Sequence, residues 1–163
     1  MQKFEGPTLG HEQVVEMLDL IGEKRYSPTR LTMGRSKFQC RIESGIHCAP
    51  FAGSKLLIAG DGRYRDYLVK TADSLGVSDN VVFCGNMDDP SVVLRVSDIY
   101  VHMALNEGSP LAVIEAMMAE KAIIATNMGG IPELIKNGST GILIEPTPAN
   151  LAGKLQELLI SYP

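Results

Sequence analysis

The residues best placed to do chemistry form one run, Asn106-Glu107-Gly108-Ser109-Pro110, with Glu115 five positions beyond the proline. Serine is a good N-cap, proline suits a first helical position, and glycine lets a ligand approach the backbone closely. The run therefore predicts a helix opening at Pro110, with free N–H groups and the positive end of its dipole directed at an anion. Phosphate is the natural guest. At 1.5 Å per residue, Glu115 lies about 7.5 Å along the axis from that site, roughly the reach from a diphosphate to a ribose. Its helical neighbours Leu111, Ala112, Met118 and Ala119 are all apolar, and an ionised carboxylate on such a face must be paired with donors. Ribose hydroxyls would serve. Glu107 precedes the helix and should project over its start, beside any group carried on the outer phosphate. The two carboxylates would then grip opposite ends of one nucleoside diphosphate derivative.

Each of these residues also has an ordinary reading. A single glutamate on a helix is most often a solvated surface residue, and one beside Gly-Ser-Pro is most often a loop charge. Only the combination favours a site. Gly60-Asp61-Gly62 and Gly129-Gly130 are explained by turn geometry. Cys40, His47 and Cys48 lack the spacing of a zinc site, and His102, inside an expected strand, reads as a packed histidine rather than a catalytic one. The chain offers no Ser/His/Asp set and no metal cluster that sequence alone can support.

The elements that must position these residues follow from periodicity. From Lys55 onward, short β-branched runs alternate with stretches of helical period, the form of a βαβ array, so a parallel sheet covered by helices is expected. Lys55–Ala59, Asn80–Cys84, Asp98–Met103, Ala122–Thr126 and Gly141–Ile144 read as strands. The expected helices carry Tyr64, Tyr67, Leu68, Ala72 and Leu75 on one face; then Val92, Val93 and Val96 behind an Asp89-Pro90 cap; then Pro110 to Glu120. A short helix ended by Asn137-Gly138 follows, and a last one opened by Thr147-Pro148 with Leu151, Leu155, Leu158 and Leu159. In open parallel sheets ligands sit beyond the carboxyl ends of the strands. The loops at Gly60–Gly62, Gly85-Asn86 and Asn106–Ser109 would converge there. Residues 1–54 are less regular: His11 to Lys24 has helical spacing, Arg30 to Gly34 could be a first strand, and Arg35 to Ser54 fits neither template. The division is thus 1–54 and a Rossmann-like α/β domain over 55–163.

Composition narrows the class. The chain has 163 residues, 45% apolar and 21% charged, with a net charge of −4, which describes one ordinary domain able to hold a core without staples. Residues 1–54 carry seven Lys/Arg against six Asp/Glu, and residues 55–163 eight against thirteen. An anion bound by the acidic part must be held mainly by something other than side-chain cations, which again favours helix amides. The negative charge argues against a nucleic-acid surface. The absence of a long apolar run or a signal-peptide pattern, with three cysteines in a chain that needs no disulfide, leads to the expectation of a cytoplasmic protein.

The string Glu107-Gly-Ser-Pro-Leu-Ala-Val-Ile-Glu115-Ala-Met-Met-Ala, then Ile123-Ile-Ala-Thr126, Gly129-Gly-Ile-Pro-Glu133 and Asn137-Gly-Ser-Thr-Gly141-Ile-Leu, closely resembles the C-terminal domain of retaining GT-B glycosyltransferases, the group 1 (family 4) class. Lys55 to Gly62 and Asn80-Val-Val-Phe-Cys-Gly85 match its upstream signature, so the resemblance covers about 100 residues. It implies a Rossmann-like parallel sheet with helices on both faces, half of a GT-B fold. The implied activity is transfer of a sugar from a nucleotide diphosphate sugar to an acceptor, with retained configuration and of the hexosyltransferase type. In that pattern Glu107 contacts the donor sugar and Glu115 holds the ribose. The backbone at Gly108, Ser109, Pro110 and Leu111 lies against sugar and diphosphate, and Gly85 and Asn86 border the base. No cofactor and no metal are expected.

Two departures stand out. The usual Gly-x-Pro after the glutamate helix is Glu120-Lys121-Ala122 here, and the basic pair that follows the first strand is compressed to Gly34-Arg35-Ser36-Lys37, so Arg35 and Lys37 are the candidate diphosphate contacts. The family also needs a second, acceptor-binding domain, for which this chain has no room. The expected partners are the nucleotide sugar, that missing N-terminal half, and through it a peripheral membrane surface. A non-catalytic nucleotide-sugar module and a nucleotide-sugar epimerase are the alternatives. A dinucleotide-binding domain is disfavoured, because no Gly-x-Gly-x-x-Gly follows an expected strand.

Overall fold

In the computed structural model, the residues described are 30–33, 54–62, 64–105, 108 and 110–161, side chains at 30–33 and 160–161 excepted. The elements in chain order are β1 (Arg30–Met33), β2 (Lys55–Ala59), α1 (Arg65–Ser74), a 3-10 turn (Ser78–Asn80), β3 (Val81–Gly85), α2 (Ser91–Val96) and β4 (Ile99–His102). They continue with α3 (Leu111–Met118), β5 (Ala122–Thr126), α4 (Ile131–Leu134), β6 (Ile142–Ile144) and α5 (Pro148–Ser161). The six strands form one sheet in the order β3-β2-β1-β4-β5-β6, and every pairing is parallel. This is the expected Rossmann-like α/β fold. The chain builds outward from β1 to β3, then crosses back to lay β4 on the other side of β1. That reversal is the switch point at which such sheets open a crevice.

Strand residues alternate between the two faces, and the core shows it. Leu56, Ile58, Ile99, Val101, Ile124 and Ile144 face Leu68 and Ala72 of α1 and Leu151 and Leu155 of α5. On the other face Leu57 packs with Val92 and Val93 of α2, while Tyr100, Ile123 and Ala125 meet Val113 and Ala116 of α3 and Ile131 of α4. With both faces covered, the strands can be apolar on both sides, hence the continuous β-branched runs in the sequence.

Several boundaries differ from expectation. α3 begins at Leu111, and Pro110 occupies the capping position with ψ 81° rather than the first helical one. The helix expected to end at Asn137-Gly138 stops at Leu134. Asn137 instead accepts the Leu143 N–H at 2.9 Å on its Oδ1, and Gly138 takes φ 77° in the turn leading to β6. On α1 only Leu68 and Ala72 are buried, and Tyr64, Tyr67 and Leu75 of the expected face are exposed.

The departure at Glu120 has a structural counterpart. Glu120 N–H bonds to the Met117 carbonyl and Lys121 N–H to the Ala116 carbonyl, which is the Schellman ending of a helix. Its left-handed position is occupied by Glu120 at φ 56°, where a glycine would be unstrained. No helix among the described residues is long and apolar enough to cross a membrane.

Candidate functional site

The crevice is lined by the loops that leave the carboxyl ends of the strands. After β2 and β3 the two loops are joined directly. Gly60 N–H donates to the Gly85 carbonyl at 2.7 Å, and both glycines have positive φ, 116° and 67°. A side chain at Gly85 would be strained, so the close seam between these loops needs glycine there. Asn86, next along, is exposed. Asp61 accepts the Gly62 N–H at 2.7 Å on its own carboxylate, which is turn chemistry, as the sequence suggested. Beside this seam the Arg65 guanidinium lies 6.0 Å from the centre of the Phe83 ring, within range of a cation–π contact. Arg65 escaped the sequence reading, since nothing in the chain order sets it against Phe83. Its place at the first position of a helix that follows a strand-end loop was the signal available.

After β4 the chain passes Met103 and Ala104, both fully buried, and reaches α3. Pro110 is buried, and its carbonyl takes the N–H of Val113 at 2.9 Å and of Ile114 at 3.3 Å. The amides of Leu111 and Ala112 belong to the first turn, where an α-helix has no carbonyl to offer them. Proline in the capping position has no side-chain acceptor either. Gly108 faces open space, with no atom within 4 Å of where a Cβ would stand. Glu107, Ser109, Arg35 and Lys37 lie outside the described residues.

Glu115 is exposed, and this corrects one step of the sequence reasoning. The neighbours expected to surround it with apolar bulk do not do so, because Leu111 is 67% and Met118 81% exposed. Positions three and four apart share a stripe, and α3 turns the stripe of Val113 and Ala116 to the sheet. Leu111, Glu115 and Met118 therefore form its outer face, where the carboxylate is open to solvent. The structure brings Gly60, Gly85 and Asn86 together on one side of the switch point. It sets Gly108, Pro110 and Leu111 on the other, with β1 between the two groups.

Two other groups have structural settings. His102 is buried, its Nδ1 3.1 Å from the Tyr100 hydroxyl, a packed histidine as expected. Burial pushes the Cys84 thiol up to about 11, opposed by a backbone hydrogen bond from Ile58. A thiol so held stays protonated at neutral pH and is no nucleophile. Among the described residues no three His, Cys, Asp or Glu side chains are grouped as metal ligands would be.

Comparison with known proteins places this geometry in a family. The profile described as "Glycosyl transferases group 1" matches residues 49–163. The chain is 31% identical over 161 residues to an uncharacterized glycosyltransferase of Methanocaldococcus jannaschii, covering 94% of this chain and 41% of that protein. It is 36% identical over 92 residues to N-acetyl-alpha-D-glucosaminyl L-malate synthase of Bacillus anthracis, covering 56% of this chain and 24% of that one. Among solved structures it is similar to the C-terminal domain of a group 1 glycosyl transferase from Francisella tularensis, with TM-score 0.70, 25% identity, and coverage of 81% of this chain and 75% of that one. Anabaena HepE, solved with UDP-glucose, has the same fold at TM-score 0.77 and 21% identity, with 93% of this chain and 44% of that one covered. This chain thus spans less than half the length of the curated relatives named above. With the strand order and the profile in agreement, the chain belongs to the group 1 glycosyl transferases.

Proposed function

We propose that the chain is the donor-binding half, the C-terminal domain, of a retaining glycosyltransferase that takes its sugar from a nucleoside diphosphate. The observation that carries this reading is the start of α3. It follows β4 beside the switch point, opens on first-turn amides with no side-chain cap among the described residues, and has Gly108 in open space before it. Such a helix start favours an anion through its amides and its dipole together. The acidic balance of residues 55–163 makes amides a better diphosphate clamp than scattered cations would be, with Arg35 and Lys37 added from the β1 side.

The rest of the donor follows from spacing. Neighbouring strands are about 4.8 Å apart, so the seam at Gly60 and Gly85 is offset from the β4 exit by roughly 10 Å or more. A nucleoside diphosphate with its pyrophosphate at α3 can extend its base toward Gly85 and Asn86, and its ribose toward Glu115. Glu107 then faces the sugar. In the transfer step the bond from the anomeric carbon to the outer phosphate oxygen breaks, and the diphosphate leaves with the electron pair. An acceptor hydroxyl oxygen bonds to the same face of the sugar and gives up its proton to the departing diphosphate oxygen. Amides aimed at the leaving diphosphate stabilise the charge that develops there, so catalysis rests on positioning and electrostatics and calls on no metal. That HepE was solved with UDP-glucose supports a nucleotide sugar as the ligand class.

The acceptor site belongs, in this reading, to a second half. The open outer face of α3, Leu111 and Met118, is apolar surface of the kind another body covers. By itself the chain binds donor without transferring efficiently. Titration with UDP, GDP and ADP, followed by the unfolding midpoint, tests the reading. One of them should stabilise the chain, and Glu115→Gln should weaken that effect. Glu107→Gln should spare nucleotide affinity and abolish transfer once the second half is supplied. No response to any of the three nucleotides would overturn the assignment.

A further inference from the structure

We propose that Thr126 is a positioning residue for the donor site, acting through Ala104, which shares a buried cluster with α3; this rests on the donor-site reading above. Thr126 ends β5 and is fully buried. Its hydroxyl donates to the Ala104 carbonyl at 2.6 Å, with the His102 carbonyl at 3.5 Å.

The ladder explains why a side chain is needed there. β4 and β5 stay in register only as far as His102 and Ala125. On its other side β5 pairs with β6 from Ile124 opposite Ile142 to Thr126 opposite Ile144, and Asn127 N–H donates to the Ile144 carbonyl at 2.8 Å. Among the described residues, no register pair joins β4 to β5 past His102 and Ala125. There the Ala104 carbonyl, on a fully buried residue, accepts the threonine hydroxyl. Ala104 also packs in the same cluster as Val113 and Ala116 of α3. One hydroxyl thus fixes the point at which the chain leaves the sheet, directly beneath the helix whose first amides make the anion site. Thr126 need touch no substrate to set where those amides stand.

Valine matches the shape of threonine and removes this donor from a buried carbonyl. Serine keeps it. Ser97 supplies the control: it is buried, and its hydroxyl donates to the Val93 carbonyl at 2.5 Å just before β4 begins, at the opposite end of that strand from the crevice. The full chain is compared with Thr126→Val, Thr126→Ser and Ser97→Ala by nucleoside diphosphate titration and by hydrogen exchange at Leu111, Ala112 and Val113. Thr126→Val should weaken nucleotide binding about tenfold, the scale of one lost buried hydrogen bond, and speed exchange in the first turn of α3. Thr126→Ser should restore both. Ser97→Ala should lower the unfolding midpoint with affinity and α3 exchange unchanged.

If Thr126→Val fails to fold, Thr126→Cys, whose thiol is only a weak donor, makes the same comparison. Unchanged affinity in Thr126→Val, or an equal loss in Ser97→Ala, overturns the proposal. Should the unaltered chain bind none of the nucleotides, the donor-site reading fails. Exchange then judges the anchor alone: faster in Thr126→Val than in Ser97→Ala supports it, and no difference overturns it.

Discussion

Helices α3 and α5 both begin beside a proline, and they begin differently. At α5 the chain completes its own first turn: Thr147 Oγ1 accepts the Asn150 N–H at 3.2 Å, and the Thr147 carbonyl accepts that of Leu151. Leu151 and Leu155 are fully buried against the sheet, and Lys154 pairs with Glu157 on the exposed side. At α3 the capping position holds Pro110, which has no side-chain acceptor. Its outer face exposes Leu111 and Met118 about Glu115, and its C-terminal turn holds a glutamate at positive φ. One helix carries a side-chain cap from its own threonine, while the other has none among the described residues and exposes apolar side chains along its outer stripe. On the reading proposed above, α5 is a structural element and α3 is the one completed by a ligand and a second domain.

The contrast can be broken at its strongest point first. Leu151→Ala, which empties a packed position on α5, should cost about 3 kcal/mol by urea unfolding. A cost below about 1 kcal/mol would deny that α5 anchors the sheet. Next in size, a nucleoside diphosphate at 100 times its dissociation constant should add about 2.7 kcal/mol to the stability of the chain. Glu115→Gln should need more ligand for the same gain, whereas Glu157→Gln on α5 should not; identical titrations would remove the distinction between the helices. Thr147→Ala should lose about 1 kcal/mol by removing the side-chain cap of α5, read as a lower midpoint without a change in denaturant slope. Glu120→Gly should go the other way, gaining about 0.5–1 kcal/mol by relieving the left-handed turn that ends α3. Smallest of all, Met118→Ala should lie within about 0.5 kcal/mol of the parent. A large loss there would mean the outer face of α3 is already covered.

Much of the fold is legible in the sequence, for reasons visible in particular residues. Leu56, Leu57 and Ile58 alternate between two buried faces, and only a strand covered on both sides wants such a run. Asp89 is expected to cap α2, and its carboxylate does accept the Ser91 N–H at 2.9 Å. Short elements are harder. The four residues of α4 span about one helical turn, too few to show a period, so the Asn137-Gly138 turn beyond it reads as its end. The candidate site is legible in its types and spacing at Gly108, Pro110 and Glu115. Its surroundings are not, since an apolar neighbour on a helix says nothing about which stripe faces the sheet.

By itself the amino-acid sequence determined the alternation of strand and helix, the turn chemistry at Gly60, Gly85 and Gly129, and the run that opens α3, because these depend on residues close along the chain. Tertiary structure decided the rest. The order β3-β2-β1-β4-β5-β6 puts the switch point next to α3, and the rotation of α3 leaves Glu115 in water. The hydroxyl of Thr126 reaches a carbonyl 22 positions earlier in the chain. Such contacts form only where the burial of one apolar face against another brings distant segments together, and no local pattern encodes that choice.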